Sequence, residues 1–192
     1  MKIERAITNV KTLGPGNRLC IWTIGCKRKC LGCVSKRLQD DRFAKDYVIE
    51  EYLKGFNLNK VDGVTISGGE PFEQIDELNH LIDYIIGNGV EDILVYTGFT
   101  IKELKSMNNI VVNDILTKIA VLIDGPYVQS LNNQTNNLKG SENQVIHFLK
   151  PIYKDRYDLY LSEKRSISKI NTGDILIGVG IPTDEIIKEF NK

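Results

Sequence analysis

The sequence predicts an α/β fold with a mainly parallel sheet and a small β-rich extension at its C-terminal end. Short apolar runs alternate with amphipathic segments at a spacing of roughly thirty residues, which is typical of βαβ units. Glycine turns follow several of the runs, where parallel strands lead into helices. With 192 residues, 42% of them hydrophobic and 26% charged, the chain is long enough to bury a core without disulfides.

The predicted elements follow in chain order. Strands are expected at 19–24, 61–67, 92–97, 119–124 and 144–149. Helices are expected at 47–54, at 75–86 before the breaker Gly87-Asn88-Gly89, and from Thr100, where Glu103 completes a capping box. We expect residues 1–149 to form the main domain.

The pattern changes after this domain, and residues 150–192 are expected to form an extension packed on it. Two further strands are predicted at 158–161 and 175–181, and Thr183 is predicted to cap a short terminal helix. Before the extension, residues 131–143 are polar and rich in asparagine, which predicts a surface loop.

Charge and hydropathy exclude several classes of partner. Lys plus Arg and Asp plus Glu both count 25, so no excess of basic charge favours a nucleic-acid partner. No run approaches the ~18 apolar residues of a spanning helix, and the N-terminal residues do not resemble a signal peptide. We therefore expect a cytoplasmic protein that binds neither nucleic acid nor membrane.

The four cysteines, Cys20, Cys26, Cys30 and Cys33, lie within 14 residues, which argues against a disulfide framework. The last three form C-x3-C-x2-C, and thiolates select iron–sulfur clusters, zinc or cuprous copper. Three thiolates suit a 4Fe–4S cluster with one iron open, whereas a structural zinc or Fe–S site would use all four cysteines. Since the neighbours of Cys20 alternate like a strand, Cys20 is expected to be a buried apolar side chain. Lys27, Arg28 and Lys29 are expected to be solvated.

Candidate site residues follow the predicted strands. The cysteine loop, Ser67-Gly68-Gly69-Glu70-Pro71, Tyr96-Thr97-Gly98 and Asp124-Gly125-Pro126 each come after one strand. Because the carboxyl ends of parallel strands meet at one edge of a sheet, these segments are expected to share a site.

Six segments together resemble the radical S-adenosylmethionine (SAM) superfamily, and most closely the activating proteins of anaerobic ribonucleotide reductase. They are Gly14-Pro15-Gly16-Asn17-Arg18, Gly25-Cys26 to Gly32-Cys33, Thr65-Ile66-Ser67-Gly68-Gly69-Glu70-Pro71-Phe72, Val95-Tyr96-Thr97-Gly98-Phe99, Leu122-Ile123-Asp124-Gly125-Pro126 and Gly140-Ser141-Glu142-Asn143-Gln144. Two departures are Val34, where such families often have an aromatic residue, and residues 150–192, about which the resemblance says little.

The resemblance implies a partial (β/α) barrel of parallel strands with helices outside. It implies that Cys26, Cys30 and Cys33 hold a single 4Fe–4S cluster and that SAM binds the open iron. The residues expected to bind SAM are Ser67, Gly68, Gly69, Glu70, Pro71, Tyr96, Thr97 and Asp124. Gly68 and Gly69 would let backbone carbonyls approach the methionine ammonium. For Asp124, a role as a turn former before Gly125-Pro126 is an equal alternative.

The implied activity is reductive cleavage of SAM to a 5′-deoxyadenosyl radical, which generates a glycyl radical on a partner enzyme. The expected partners are anaerobic ribonucleotide reductase and an electron donor of the flavodoxin or ferredoxin type. One cysteine remains after three ligands, too few for a second cluster. Two alternatives stay open. One is a single-cluster radical SAM enzyme acting on a small molecule or peptide, for example one like 7-carboxy-7-deazaguanine synthase, with residues 150–192 closing the site. The other is a non-enzymatic Fe–S or zinc module.

Overall fold

The computed structural model describes residues 1–42, 44–171, 173 and 176–190. The strands are β1 (Ile3–Val10), β2 (Arg18–Thr23), β3 (Gly63–Gly68), β4 (Ile93–Tyr96), β5 (Val121–Asp124), β6 (Val145–Phe148), β7 (Ile167–Asn171) and β8 (Leu176–Gly180). The helices are α1 (Ile49–Leu53), α2 (Ile75–Gly87), α3 (Ile101–Ser106), α4 (Ile110–Lys118), α5 (Lys154–Leu161) and α6 (Asp184–Phe190).

The first six strands form one sheet in the order β1-β2-β3-β4-β5-β6, and β7 and β8 form a separate hairpin. Strands β2 to β5 are parallel, while β1 and β6 are antiparallel to their neighbours. The register places Thr23 beside Gly68 and Tyr96 beside Ile123, so the carboxyl ends of the central strands lie together. The predicted α/β fold with a parallel sheet and a small C-terminal β extension is confirmed.

The two faces of the sheet bury different partners. Leu19 and Ile21 of β2 belong to the core that helix α2 covers with Leu78, Leu81, Ile82 and Ile85. The residue between them, Cys20, faces the other side and packs with Val179 of β8. This alternation follows from the two-residue period of a strand, and it places the C-terminal hairpin opposite the helices.

Several elements differ from the sequence prediction. The strand predicted at 158–161 is wrong, because these residues belong to helix α5, which buries Tyr157 and Tyr160 at helical spacing. Strands β1 and β7 and helix α4 were not predicted. The loop predicted at 131–143 has no strand, but it buries Leu138 fully, so it is part of the packed structure. Ile175, the first residue of the strand predicted at 175–181, lies outside the described residues.

Arg18 is fully buried at the start of β2 and joins three strands to helix α5. Its Nη1 lies 3.0 Å from Asp92 Oδ2, and its Nη2 donates to the carbonyl of Val64 at 2.8 Å. Its Nε donates to Thr65 Oγ1 at 2.7 Å. The hydroxyl of Tyr157 donates to Asp92 Oδ1 at 2.8 Å. Since a buried guanidinium is costly without partners, this network fixes how the strands begin.

Replacing Asp92 with alanine should destabilise the fold strongly. The substitution leaves a buried guanidinium without its carboxylate, so we expect the free energy of unfolding to fall by about 3–5 kcal/mol in urea denaturation. Asp83→Ala is the control, because Asp83 lies 2.6 Å from Lys118 but has a half-exposed side chain. Its urea midpoint should be nearly unchanged. Equal effects of the two variants would contradict the role of the Arg18 network.

Candidate functional site

A cavity of about 530 Å³ opens at the carboxyl ends of β2, β3 and β4. Cys26, Cys30 and Cys33 line it and are partly exposed. The segments 67–70 and 96–98, which follow β3 and β4, line it as well. We call this the cysteine cavity. The structure thus brings most of the predicted site residues to one place.

The cysteine loop follows β2, and its first residues are hydrogen-bonded to residues 38 and 39, which come after it. The amide of Gly25 donates to the carbonyl of Leu38 at 2.8 Å, and the amide of Cys26 donates to that of Gln39 at 3.2 Å. Burial raises the pKa of the Cys26 thiol, and the nearby carboxylates of Glu70 and Glu73 add to the shift. Burial and these carboxylates disfavour the thiolate form, whereas a bound metal cation would favour it.

Three thiols on one loop match the donor chemistry of an iron–sulfur cluster. Within residues 1–42, 44–171, 173 and 176–190, no three His, Cys, Asp or Glu side chains are arranged to hold a metal ion. The assignment of Cys26, Cys30 and Cys33 as ligands stays a prediction.

The glycine turn after β3 approaches the cysteine loop backbone to backbone. The amide of Gly69 donates to Thr23 and that of Glu70 to Gly25, both at 2.8 Å. A Cβ on Gly69 would lie 2.1 Å from the carbonyl oxygen of Gly25, and Gly68 has a φ of 118°. Side chains at these positions would therefore push the turn away from the loop.

The carboxylate of Glu70 is buried and joins this turn to the end of β4. Its Oε1 accepts from the amide of Phe72 at 3.1 Å and from the hydroxyl of Thr97 at 2.8 Å. Its Oε2 accepts from the amide of Gly98 at 2.7 Å. Burial raises the pKa of Glu70 to about 7 despite these hydrogen bonds. Glu70 and Thr97 therefore bind each other within the site.

Arg28 does not point into solvent. Its guanidinium lies 4.2 Å from the centroid of the Phe99 ring, and its Nη2 lies 3.3 Å from Glu103 Oε1. The side chain is only 20% exposed, so the prediction of a solvated charge is wrong for Arg28. It is confirmed for Lys27, which is 91% exposed. Arg28 thus fastens the cysteine loop to the start of helix α3.

Of the remaining predicted site residues, two line the cavity and two lie behind its lining. Ser67 and Tyr96 line the cavity, and the Tyr96 hydroxyl donates to the carbonyl of Leu138 at 3.0 Å. Pro71 and Asp124 are buried and do not line it. Asp124 Oδ2 accepts from the amide of Ile101 at 2.6 Å, so this carboxylate holds the first turn of α3.

The segment 140–144 is hydrogen-bonded to the turn that follows β5, beside the cavity. Gln144 accepts from the amide of Gly140 at 2.8 Å and donates to the carbonyl of Gly125 at 3.0 Å. Asn143 donates to the carbonyl of Pro126 at 2.7 Å. These contacts explain why amide side chains occur in this motif.

Some cavity residues were not predicted. Trp22 lines the cavity two residues after Cys20 on β2, and strand alternation places both on the same face, a signal that could have identified it. Ile177, Ile181, Asp184 and other residues of the C-terminal extension also line it. The alternative with a small-molecule or peptide substrate expected residues 150–192 to close the site, but no motif there identified which residues line it.

Comparison with known proteins identifies the family. The sequence model described as "4Fe-4S single cluster domain" matches residues 12–147. The chain belongs to the 4Fe-4S single cluster domain family. This membership supports an iron–sulfur cluster as a cofactor. Among the described residues, no helix is long and apolar enough to cross a membrane.

Three curated relatives carry the name anaerobic ribonucleoside-triphosphate reductase-activating protein. Those of Salmonella typhi and Escherichia coli K12 are 31% and 30% identical over 145 residues, which cover 71% of this chain and 92% of each relative. That of enterobacteria phage T4 is 28% identical over 138 residues, covering 68% of this chain and 83% of the relative. The resemblance to these activating proteins is confirmed.

Thiol labelling should separate Cys20 from the loop cysteines. Cys20 is 1% exposed, and burial raises the pKa of its thiol to about 12. We expect iodoacetamide at pH 8 to modify Cys26, Cys30 and Cys33 in the folded, cluster-free protein, and Cys20 only in denaturant. Peptide mass spectrometry measures this, and equal labelling of Cys20 in the folded protein would contradict its buried position.

Gly69→Ala should displace the cysteine loop. Because its Cβ would overlap the carbonyl of Gly25, we expect a loss of about 1–3 kcal/mol in thermal unfolding and a lower iron content after reconstitution. Gly87→Ala is the matched control, since a Cβ there meets nothing within 4 Å. If Gly69→Ala behaved like this control, the close approach of turn and loop would be wrong.

Proposed function

We propose that this chain is a radical SAM enzyme that generates a glycyl radical on a partner, the anaerobic ribonucleotide reductase. One observation carries the proposal. The three cysteines of a C-x3-C-x2-C loop line the same cavity as the turn Gly68-Gly69-Glu70, in a chain of the 4Fe-4S single cluster domain family. The thiolates would bind the cluster, and the backbone of the turn would bind the methionine end of SAM next to it.

In this proposal Cys26, Cys30 and Cys33 would hold the cluster, and SAM would bind beside them. Once bound, the cluster would supply one electron, taken from an external donor, for the cleavage of SAM to methionine and a 5′-deoxyadenosyl radical, and this radical would take a hydrogen atom from a glycine of the partner. The protein binds these groups, orients them and excludes water. Cys20 takes no part because its side chain is 1% exposed and packs among Val10, Leu13 and Val179.

The residues proposed for SAM act in two ways. Ser67, Gly68 and Gly69 line the cavity and would present backbone groups to the methionine end. Glu70, Thr97 and Tyr96 also line it, but their polar atoms are hydrogen-bonded within the protein, so they would shape the cavity. Pro71 and Asp124 would support the turns from outside it.

The names of the relatives support the reductase as a partner, and exposed charges support an acidic electron donor. Relatives of the same family are named activators of anaerobic ribonucleoside-triphosphate reductase, and the match covers 92% of the Salmonella typhi relative. Beside the cavity, Lys27 and Lys29 of the cysteine loop are exposed. An acidic electron donor of the flavodoxin or ferredoxin type would complement these cations at the shortest distance from the cluster.

Anaerobic reconstitution tests the proposal. The protein is loaded with iron and sulfide, then mixed with SAM and a strong reductant, and 5′-deoxyadenosine is quantified. Adding anaerobic ribonucleotide reductase should give a glycyl-radical doublet in EPR. An intact cluster without 5′-deoxyadenosine would refute the enzyme proposal. SAM cleavage without the doublet would favour the alternative in which the substrate is a small molecule or a peptide.

Two cysteine variants sharpen this test. Cys30→Ala removes a proposed ligand and should abolish both the cluster absorbance and the formation of 5′-deoxyadenosine. Cys20→Ala is the matched control and should retain most of both, because Cys20 is buried among apolar side chains. If Cys20→Ala also lost the cluster, the division into three ligands and one buried thiol would be wrong.

A further inference from the structure

Residues 165–171 and 176–187, here called the strap, cross from one edge of the main sheet to the other. Near β1, the hydroxyl of Thr12 donates to the carbonyl of Val179 at 2.6 Å and lies 3.2 Å from Ser168 Oγ. These contacts are buried or nearly so, and they fasten the hairpin to the loop between β1 and β2. One side of the strap is therefore fixed to the first two strands.

The other side of the strap is fixed to the loop between β5 and β6. The guanidinium of Arg165 is nearly buried and donates to the carbonyls of Asn136 at 2.9 Å and Lys139 at 2.8 Å. Gln134 and Asp184 exchange two hydrogen bonds, at 2.7 and 2.8 Å. Because the strap has several hydrogen-bond partners at each end, it is held in one position on the sheet.

The strap forms a wall of the cysteine cavity. Residues 177–182, Asp184 and Ile187 line the cavity together with the cysteines. Ile187 is 43% exposed, and Val34 of the cysteine loop, which lines the same cavity, is 63% exposed. The cavity therefore opens between exposed apolar side chains from two separate segments. The strap lies outside residues 12–147, the part that matches the family.

We propose that the strap is the wall against which a polypeptide substrate is positioned, with Ile181 and Ile187 as positioning residues. This inference rests on the proposed function, in which the substrate is a polypeptide segment of the partner, and it adds which residues of this chain position that segment. The residues act by contact with that segment, and they take no part in the cleavage of SAM.

The exposed side chains favour a polypeptide. Exposed apolar side chains around an opening mark surfaces that another protein covers, and Ile187 and Val34 are such side chains. Both line the cavity, although they belong to separate segments of the chain. A free small molecule would not need this feature.

The experiment measures binding separately from chemistry. The probe is the anaerobic ribonucleotide reductase of the same genome, titrated calorimetrically into the full-length, cluster-loaded protein without SAM or reductant. We expect Ile187→Ala and Ile181→Ala to raise the Kd about tenfold each. In the activation assay, the KM for the reductase should rise by a similar factor while kcat changes less than twofold.

Two further variants control this result. Ile152→Ala removes an isoleucine that is 85% exposed and lies away from the cavity, and it should leave the Kd within twofold of wild type. Ile181→Val should restore most of the affinity lost in Ile181→Ala, which loss of folding would not explain. Circular dichroism of each variant verifies that the hairpin is retained.

The outcomes separate the inference from the function on which it rests. If wild type fails to form 5′-deoxyadenosine, the proposed function is wrong, and this inference with it. If wild type cleaves SAM and binds the reductase, but the strap variants bind equally well, only the positioning role is wrong. If wild type cleaves SAM and does not bind the reductase, the reductase is not the polypeptide that the strap positions, and the proposal is overturned.

Discussion

The buried carboxylate of Glu70 is the contact on which the arrangement of the site depends. It receives hydrogen bonds from its own turn and from the end of β4, while its amide donates to Gly25 at the start of the cysteine loop. Three segments that are far apart in sequence therefore meet at one residue. The cost of burying a carboxylate is offset because each donor also needs a partner there. The amide of Lys27 in the cysteine loop also donates to Glu73 at 2.7 Å, so two residues of the segment after β3 hold this loop.

The Arg18 network plays the same part at the opposite end of the strands. Strand β3 begins at Gly63, next to the Arg18 guanidinium, and ends at Gly68, beside Thr23. One network fixes where the strands start and the other fixes the loops that leave them. Because Tyr157 of α5 donates to Asp92, the first helix of the C-terminal extension is part of the same framework. The extension is thus supported by the sheet before its chain reaches the cavity.

The sequence predicted the parallel core and most of the cavity because those features depend on local patterns. Apolar alternation identified β2 to β6, and glycine turns with clustered cysteines identified the segments that line the cavity. Side-chain partners across long sequence distances could not be predicted in this way. Nothing local indicates that Arg28 stacks on Phe99 or that Asp124 holds helix α3. Strands β1 and β7 were missed although each pairs with the next strand along the chain, because most of their residues are partly exposed and form no apolar run.

The cysteine cavity has two kinds of surroundings. Lys27 and Lys29 of the cysteine loop are exposed, and apolar side chains of the strap line the cavity, so the proposed electron donor and substrate would contact different segments of the chain. Trp22 lies in this cavity and is the only tryptophan of the chain. Its fluorescence therefore comes from a single place, so a group that binds against the indole would be followed by the emission of one residue.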